Sequence, residues 1–148
     1  MDAQRKNRYL DKLSSLKKYY NLLQKWADLS NIEELSKNQN YQLIFAIYHS
    51  FQLTLEIIID ISAMIIKDLK YKAGDNYFNY EILFQEEIIT SDLYNVLKEL
   101  TGLRNRIVHD YNGIIDKLAW DAITNNLIMI PKFMEAIELW LEKESSNK

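Results

Sequence analysis

The sequence predicts an all-α protein, an up-and-down helical bundle of four to five main helices that forms a single domain over residues 1–148. Two observations predict this class. Apolar side chains recur three and four positions apart along most of the chain, which is the period of a helix face. The 148 residues include 3 Gly and 1 Pro. So few turn-forming residues favour long helices over a many-stranded sheet.

The first helix is predicted to run from about Gln4 to Leu29. Its apolar stripe consists of Leu13, Leu16, Tyr20, Leu23 and Ala27. A turn and a short helix follow in the segment LSNIEEL. Either Ser30 or Asn31 can cap this short helix, because each side chain can accept a hydrogen bond from the first free backbone N–H groups.

A long and nearly apolar helix is predicted from about Tyr41 to Leu69. Its main stripe consists of Ile44, Tyr48, Phe51, Leu55, Ile58, Ser62, Ile65 and Leu69. The polar line that remains is narrow and consists of Gln42, His49, Gln52, Glu56, Asp60 and Lys67. A helix with so little polar surface belongs at the centre of a bundle or in an interface. On this polar line, His49 is expected at the surface.

The segment KAGDNYFNY, residues 72–80, interrupts the helical pattern and is predicted to be the longest loop. Gly74 is expected to be the residue that ends the helix before this loop. The next segment, EILFQEEII, predicts a short helix. Thr90, Ser91 or Asp92 can then cap the helix that carries the string GLRNRIVHDY.

A final helix is predicted from about Lys117 to Lys143, after a second interruption at YNGIID. Asp116 can cap this helix. Pro131 lies within it and should kink it or split it in two, because proline lacks the N–H donor and clashes with the preceding turn. Three large aromatic residues of this region are predicted to lie in the core or in an interface: Trp120, Phe133 and Trp140.

Composition and charge exclude several classes of protein. The formal net charge of −3 argues against a general nucleic-acid coat protein, whose affinity comes from many phosphate contacts. The absence of cysteine excludes disulfides and thiolate metal sites. The most apolar run, residues 57–66, is too short and too polar to cross a membrane, and the charged N-terminal segment has no secretion-signal pattern. We therefore expect a soluble, cytoplasmic protein.

The string GLRNRIVHDY places an arginine on the apolar face of its helix. With successive residues about 100° apart, Arg104 shares a face with Tyr111 and with the apolar residues Leu97, Leu100, Ile107 and Val108. Asn105 and His109 form an adjacent line, and Arg106 points away towards solvent with Asp110. A guanidinium is rarely buried without a partner. Three explanations remain for Arg104. It pairs internally with a carboxylate such as Asp60 or Glu56, or its side chain extends to solvent at the end of the stripe. Otherwise it binds a phosphate at a cleft or dimer seam.

One straight helix cannot direct both Arg104 and His109 at one substrate, because residues five positions apart diverge by about 140°. Either the helix bends or ends here, or two copies of the motif face each other across a two-fold dimer. A dimer supplies two histidines. General acid–base cleavage of RNA needs one group that takes the 2′-OH proton and another that protonates the leaving 5′-oxygen. That chemistry requires neither a metal nor a cofactor.

The string RNRIVHDY resembles the R-x4-H-x-Y motif of the HepT-like toxins, a branch of the HEPN superfamily (higher eukaryotes and prokaryotes nucleotide-binding). Arg104, His109 and Tyr111 match the motif, and Asn105 matches the polar residue that commonly follows the arginine in HEPN ribonucleases. The resemblance covers about Lys12 to Leu141. It implies an all-α homodimer that acts as an endoribonuclease, with a metal-independent composite site at the dimer seam.

The resemblance also implies roles and a partner. Arg104 would bind the scissile phosphate, His109 would act as general acid or base, Asn105 would orient them, and Tyr111 would position the RNA. The implied partner is a minimal nucleotidyltransferase antitoxin that transfers AMP from ATP to Tyr111 and so silences the toxin. A bulky anion beside Arg104 and His109 would occupy the phosphate site and repel RNA.

Two other functions fit the same residues. The chain can be a non-catalytic HEPN subunit that binds a nucleotide or scaffolds its nucleotidyltransferase partner. It can also be a dimeric helical bundle without chemistry, in which His109 satisfies the carbonyl groups of a helix end and Tyr111 is a core aromatic residue. The aromatic residues of the predicted loop either pack onto the bundle or stack on RNA bases; they are Tyr77, Phe78 and Tyr80.

Overall fold

The computed structural model describes residues 1–28, 31–109 and 117–146, without the side chains of residues 108 and 109. Within these ranges the chain is helical and contains no strand. The helices are α1 (Ala3–Asp28), α2 (Ile32–Lys37), α3 (Tyr41–Asp68), α4 (Asn76–Gln85), α5 (Ser91–His109), α6 (Lys117–Asn126) and α7 (Met129–Ser146). Helices α1, α3, α5 and α7 are long and the others are short. The prediction of an all-α bundle with four to five main helices is confirmed.

Polar pairs along the α1–α3 contact show that these two helices are antiparallel. Arg5, near the start of α1, donates to both carboxylate oxygens of Asp68 at the end of α3, at 2.9 and 3.1 Å. Two turns further along α1, Lys12 pairs with Asp60, which lies two turns earlier on α3. The hydroxyl of Tyr9 also donates to Asp68 at 2.6 Å. Charged groups therefore fix the register at one end of this helix pair.

The last helix, α7, packs against the N-terminal part of α1. The rings of Tyr9 and Trp140 meet edge to face with centroids 5.5 Å apart, and the Nζ of Lys6 donates to the Oγ of Ser145 at 3.1 Å. The contact residue that comes later in α1 meets the one that comes earlier in α7, so the two helices are antiparallel. The three aromatic residues predicted for the core or an interface are buried in the core: Trp120, Phe133 and Trp140.

Helix α3 is the central element of the bundle, as its apolar pattern predicts. It packs against α1, α2, α4 and α5, and one hydrophobic core runs through these contacts. By length and composition alone α3 is also able to cross a membrane. However, 56% of its most apolar window is buried inside the bundle, which is typical of a core helix.

Side-chain caps define where α2 and α5 begin. The Oδ1 of Asn31 accepts from the backbone N of Glu33 at 2.9 Å, so Asn31 caps α2. The alternative residue, Ser30, lies outside the described ranges. The Oγ1 of Thr90 accepts from the backbone N of Leu93 at 3.3 Å, so Thr90 is the residue of the three candidates that caps α5. Capping chemistry thus places both helix starts within one or two residues of the predicted positions.

The loop predicted over residues 72–80 is wrong in its second half. Helix α4 begins at Asn76, because the carboxylate of Asp75 accepts from the backbone N of Phe78 at 2.8 Å and caps it. Gly74 is not a helix C-terminal residue either. Helix α3 ends at Asp68, and Lys70 rather than glycine takes the left-handed conformation with φ of 63°. Gly74 is instead needed for space, since a Cβ there would overlap the Phe78 ring.

The predicted final helix is split, as the proline predicts, although the break precedes the proline. Helix α6 ends at Asn126 and α7 begins at Met129, which makes Pro131 the third residue of α7. The first N–H groups of a helix have no acceptor within it, so proline is tolerated at that position. The predicted cap Asp116 and the YNGIID interruption lie outside the described part of the chain.

Candidate active site

The candidate arginine lies on α5 at the border between core and solvent. The neighbouring Leu97, Leu100 and Leu103 are almost fully buried, whereas the Arg104 side chain keeps 22% of its surface exposed. Arg106 is exposed, as predicted. The placement of a guanidinium beside the apolar stripe of this helix is therefore confirmed.

Arg104 forms an ion pair with α3. Its Nη2 donates to the Oε1 of Glu56 at 2.8 Å. Of the two carboxylates that the sequence offers as internal partners, the structure selects Glu56. Asp60 is wrong as a partner because it lies one turn further along α3, where it pairs with Lys12 of α1.

The remaining donors of the Arg104 guanidinium are only partly satisfied. Nη1 donates to the Oδ1 of Asn105 at 3.0 Å, and the orienting role assigned to Asn105 stays a prediction. Nε is buried and has no hydrogen-bond partner among the described residues. A buried unpaired donor costs about 1–3 kcal/mol, so a buried guanidinium N–H without a partner calls for a physical explanation.

The carboxylate of Glu56 is stabilised in its charged form. The hydrogen bond from Arg104 lowers the pKa of Glu56, and the hydrogen bond from Gln52 Nε2 at 3.0 Å lowers it further. Partial burial opposes these effects, and the nearby charge of His49 adds to them. His49 is exposed, as predicted, two turns before Glu56 on the same side of α3. Glu56 is therefore an anion at neutral pH and neutralises Arg104 in the isolated chain.

Beneath Arg104 lies a buried hydroxyl pair between α4 and α5. The hydroxyls of Tyr80 and Thr101 are 2.9 Å apart, and both residues are fully buried. Burial raises the pKa of Tyr80 to about 12, while the nearby charge of Arg104 acts in the opposite direction. Tyr80 is thus part of the floor of the site and cannot stack on RNA. Of the two alternatives offered for this aromatic residue, packing onto the bundle is confirmed.

A second cluster of aromatic side chains lies on the outer side of α4 and α5. The rings of Phe84 and Tyr94 are stacked, with centroids 5.5 Å apart and planes inclined by 9°. The Nζ of Lys98 lies 4.3 Å from the centroid of the Tyr94 ring. These residues are not among the site residues predicted from the sequence. The four-residue spacing of Tyr94 and Lys98 is the signal by which a helix-face pair could have been recognised.

The other motif residues are placed only in part. His109 is the last residue of α5 as described, and its side chain lies outside the description. Tyr111 and Asp110 also lie outside the described ranges. The roles assigned to His109 and Tyr111 from the motif therefore stay predictions, and the described site consists of Arg104, Glu56 and Asn105 with its supporting residues.

Two clefts lie away from Arg104. One runs between α1 and α3 with a volume of about 570 Å³, and its lining includes Arg8 and Lys12. Another, of about 530 Å³, lies between the α4–α5 turn and α7, and its lining includes Glu87 and Lys132. No group of three or more His, Cys, Asp or Glu side chains in the described part of the chain is placed to hold a metal ion.

Comparison with protein families gives one match that covers most of the chain. Residues 11–137 match the family model described as ribonuclease HepT-like. A tRNA nuclease HepT of Aphanizomenon flos-aquae is 30% identical over 133 residues, which is 88% of this chain and 87% of that protein. A candidate RNase of Archaeoglobus fulgidus is 32% identical over 139 residues, or 94% of this chain and 97% of the relative.

Solved structures with the same fold include HEPN toxins. The tri-AMPylated HEPN toxin of Shewanella oneidensis, in complex with its MNT antitoxin, superposes with a TM-score of 0.78 at 21% identity and covers 94% of this chain and 99% of the toxin. A chain from a toxin–antitoxin complex with AMP-PNP gives a TM-score of 0.77 at 22% identity, with 93% of this chain and 99% of that chain covered. These similarities concern the fold.

Proposed function

Because the chain belongs to the ribonuclease HepT-like family, we propose that it is the toxin of a toxin–antitoxin pair and a metal-independent endoribonuclease of the cytoplasm. The observation that supports this proposal is the position of Arg104 and its hydrogen bonding. Its guanidinium lies at the edge of the core, held by Glu56 and Asn105, with one buried donor unsatisfied. A guanidinium in that setting is suited to exchange a carboxylate for a phosphate, which it can bind through two parallel hydrogen bonds.

Arg104 and His109 divide the chemistry between them. One histidine accepts the proton of the 2′-OH, the 2′-oxygen attacks phosphorus, and the bond from phosphorus to the 5′-oxygen breaks. A second histidine protonates the leaving 5′-oxygen. Arg104 binds the phosphate oxygens and stabilises the negative charge that grows on them in the transition state. The products are a 2′,3′-cyclic phosphate end and a 5′-OH end.

The second histidine comes from a second copy of the chain. Helix α3 supports this homodimer, because Tyr41 and Phe45 are each about half exposed and form an aromatic pair with centroids 6.5 Å apart. Phe45, His49 and Glu56 lie on one side of α3, since their spacings of four and seven residues return to the same helix face. A second copy placed on this side covers exposed aromatic surface and brings another motif towards Arg104.

The partner that controls this activity is a minimal nucleotidyltransferase antitoxin. A structural relative of this fold is an AMPylated toxin bound to such an antitoxin. We assign the acceptor role in this chain to Tyr111, which matches the motif tyrosine. An adenylate group on Tyr111 adds an anion and bulk beside Arg104, and both effects oppose RNA binding.

The alternative function, a non-catalytic scaffold for the nucleotidyltransferase, is favoured by one observation. The ion pair with Glu56 neutralises Arg104 within a single chain. Expression of the chain without its partner separates the two functions. A toxin arrests growth, and Arg104→Ala relieves the arrest whereas Arg106→Ala does not. Normal growth with soluble wild-type protein and tight partner binding would support the scaffold instead.

A further inference from the structure

The stacked aromatic pair on α4 and α5 continues towards the candidate active site. Positions 94, 98, 102 and 105 follow one another along a single line of α5, at spacings of four, four and three residues. With a rise of about 1.5 Å per residue, Lys98 lies roughly 10 Å from Asn105 along the helix axis. Asn105 accepts the Nη1 hydrogen bond of Arg104. The line therefore leads from Tyr94 to Asn105, which is the hydrogen-bond partner of the proposed phosphate-binding group.

Tyr77 fills the gap in this line at the glycine. A Cβ on Gly102 would lie 3.5 Å from the Tyr77 hydroxyl, so this tyrosine of α4 lies directly over Gly102. Tyr77 is 41% exposed and Phe84 is 40% exposed. Both lie on one side of α4, seven residues apart. Tyr77, Phe84, Tyr94 and Lys98 lie along the α4–α5 contact, and we call this group of side chains the aromatic strip.

From this arrangement we propose that the aromatic strip binds a single-stranded segment of the RNA substrate and guides it to Arg104. The proposal rests on the proposed ribonuclease function and extends it by a substrate-binding surface outside the catalytic groups. Single-stranded nucleic acid binds to exposed aromatic rings beside a cation, because every base can stack and the backbone phosphates attract the cation. Tyr77 and Phe84 supply the exposed ring surface, while Tyr94 supports the ring of Phe84 and the side chain of Lys98.

The charge around the strip favours stacking as the main source of affinity. Lys98 is the cation of the strip, whereas Glu81 lies between Tyr77 and Phe84 on the same side of α4, where Gln85 donates to it at 3.4 Å. Binding should therefore depend only weakly on salt. One lysine contributes a slope of about 0.7 to the dependence of log affinity on log salt for a single strand. Bases that stack need no specific hydrogen bonds, so the strip should tolerate many sequences.

The test uses matched pairs of variants. Tyr94→Ala and Lys98→Gln alter the strip. Their controls are Tyr19→Ala and Lys18→Gln, because Lys18 and Tyr19 form a similar cation–aromatic contact, at 5.7 Å, on the distant helix α1. Binding of a 2′-O-methyl oligonucleotide, which cannot be cleaved, is measured by fluorescence anisotropy at several salt concentrations. Cleavage of a long single-stranded RNA is compared with cleavage of a dinucleotide, and thermal melts verify that each variant is folded.

We expect Tyr94→Ala to weaken oligonucleotide binding roughly tenfold and to reduce the preference for long RNA over the dinucleotide by a similar factor. Lys98→Gln should lower the salt slope by about 0.7, and the α1 variants should match the wild type. The strip is refuted if wild-type protein cleaves RNA while strip and control variants behave alike. It is also refuted if the strip variants lose only dimer formation or antitoxin binding and still bind the oligonucleotide like the wild type.

The ribonuclease function can fail separately. If the wild type cleaves neither substrate but the strip variants still lose oligonucleotide binding, the strip stands as an RNA-binding surface and the catalytic proposal falls. Should Tyr94→Ala unfold the protein, Lys98→Gln decides the question alone, since its side chain lies on the ring of Tyr94 rather than in the core.

Discussion

The Nη2 of Arg104 on α5 lies 2.8 Å from the Oε1 of Glu56 on α3. This contact joins the two helices that form the candidate active site and holds the guanidinium in one place. The same carboxylate competes with any phosphate that approaches Arg104. Glu56 is therefore expected both to hold Arg104 in position and to weaken RNA binding.

Replacing Glu56 separates these two effects. Glu56→Gln keeps a carbonyl acceptor for Arg104 but removes the negative charge, so we expect a lower KM for RNA with a moderate loss of kcat. Glu56→Ala removes the acceptor as well, and we expect kcat to fall further because Arg104 is no longer held. Steady-state cleavage assays give both constants. Equal kcat values for the two variants would argue against a positioning role.

The stability of the ion pair should also depend on pH. Glu56 has a lowered pKa in the folded chain, so it releases its proton more readily there than in the unfolded chain. The stability that it contributes is complete above its ordinary pKa of 4.5 and is lost as pH falls through the lower, folded value. Denaturant titrations of wild type and Glu56→Gln should therefore differ at pH 7 and converge in acid. A constant difference across this range would exclude the linkage.

The buried Tyr80–Thr101 pair predicts a loss of stability in alkali. Because Tyr80 has a pKa of about 12 in the folded chain, only the unfolded chain ionises between about pH 10 and pH 12, and stability falls over that window. Tyr80→Phe should reduce this loss, and the part that remains comes from tyrosines such as Tyr9, whose pKa is also raised by burial. At neutral pH it should cost about 1–3 kcal/mol, because the Thr101 hydroxyl is left unpaired. Tyr71→Phe, which removes an exposed hydrogen bond to Glu86, is the control and should cost little.

If the active site is shared between the two chains of a homodimer, inactive chains should reduce the activity of wild-type chains. An excess of His109→Ala protein, mixed and re-equilibrated with wild type, forms mixed dimers in which one of the two histidines is absent. Activity should then fall below the value expected from simple dilution. The same excess of Lys18→Gln protein should not have this effect. If His109→Ala behaves like the Lys18 control, each chain contains a complete site.

Control by the antitoxin predicts a modification at one tyrosine. Co-expression with its nucleotidyltransferase antitoxin should add one or more AMP-sized masses to the chain, and peptide mapping should locate an addition at Tyr111. Tyr111→Phe should remove the addition and leave the toxin active in the presence of the partner. Addition at another tyrosine, with Tyr111 unmodified, would contradict the assigned acceptor.

Much of the fold follows from local patterns in the sequence. The apolar spacing in α1 and α3 reports burial directly, because the same side chains that recur at helix spacing fill the core. The second half of α4 was predicted as a short helix, whereas its first half was assigned to a loop because the segment NYFNY is polar and aromatic, without an apolar stripe. Its burial depends on a tertiary partner, since Tyr80 and Asn79 are buried only where α4 meets its neighbours.

The candidate site could be predicted only in part. Helical geometry places Arg104 on the apolar face of α5, and the rarity of an unpaired buried guanidinium then predicts a partner. The choice between Glu56 and Asp60 depends on the register of α5 against α3, and a one-turn difference cannot be read from either helix alone. The aromatic strip likewise combines residues of two helices whose relative register the sequence does not supply.

The cleavage of RNA by matched arginine variants tests the central claim most directly. Purified protein is incubated with single-stranded RNA in EDTA, and the ends of the products are identified. We expect wild type and Arg106→Ala to leave 2′,3′-cyclic phosphate ends at similar rates, and Arg104→Ala to be slower by about 100-fold or more, because the phosphate loses its charged donor. Cleavage by Arg104→Ala at the wild-type rate, with the fold intact, would contradict the account.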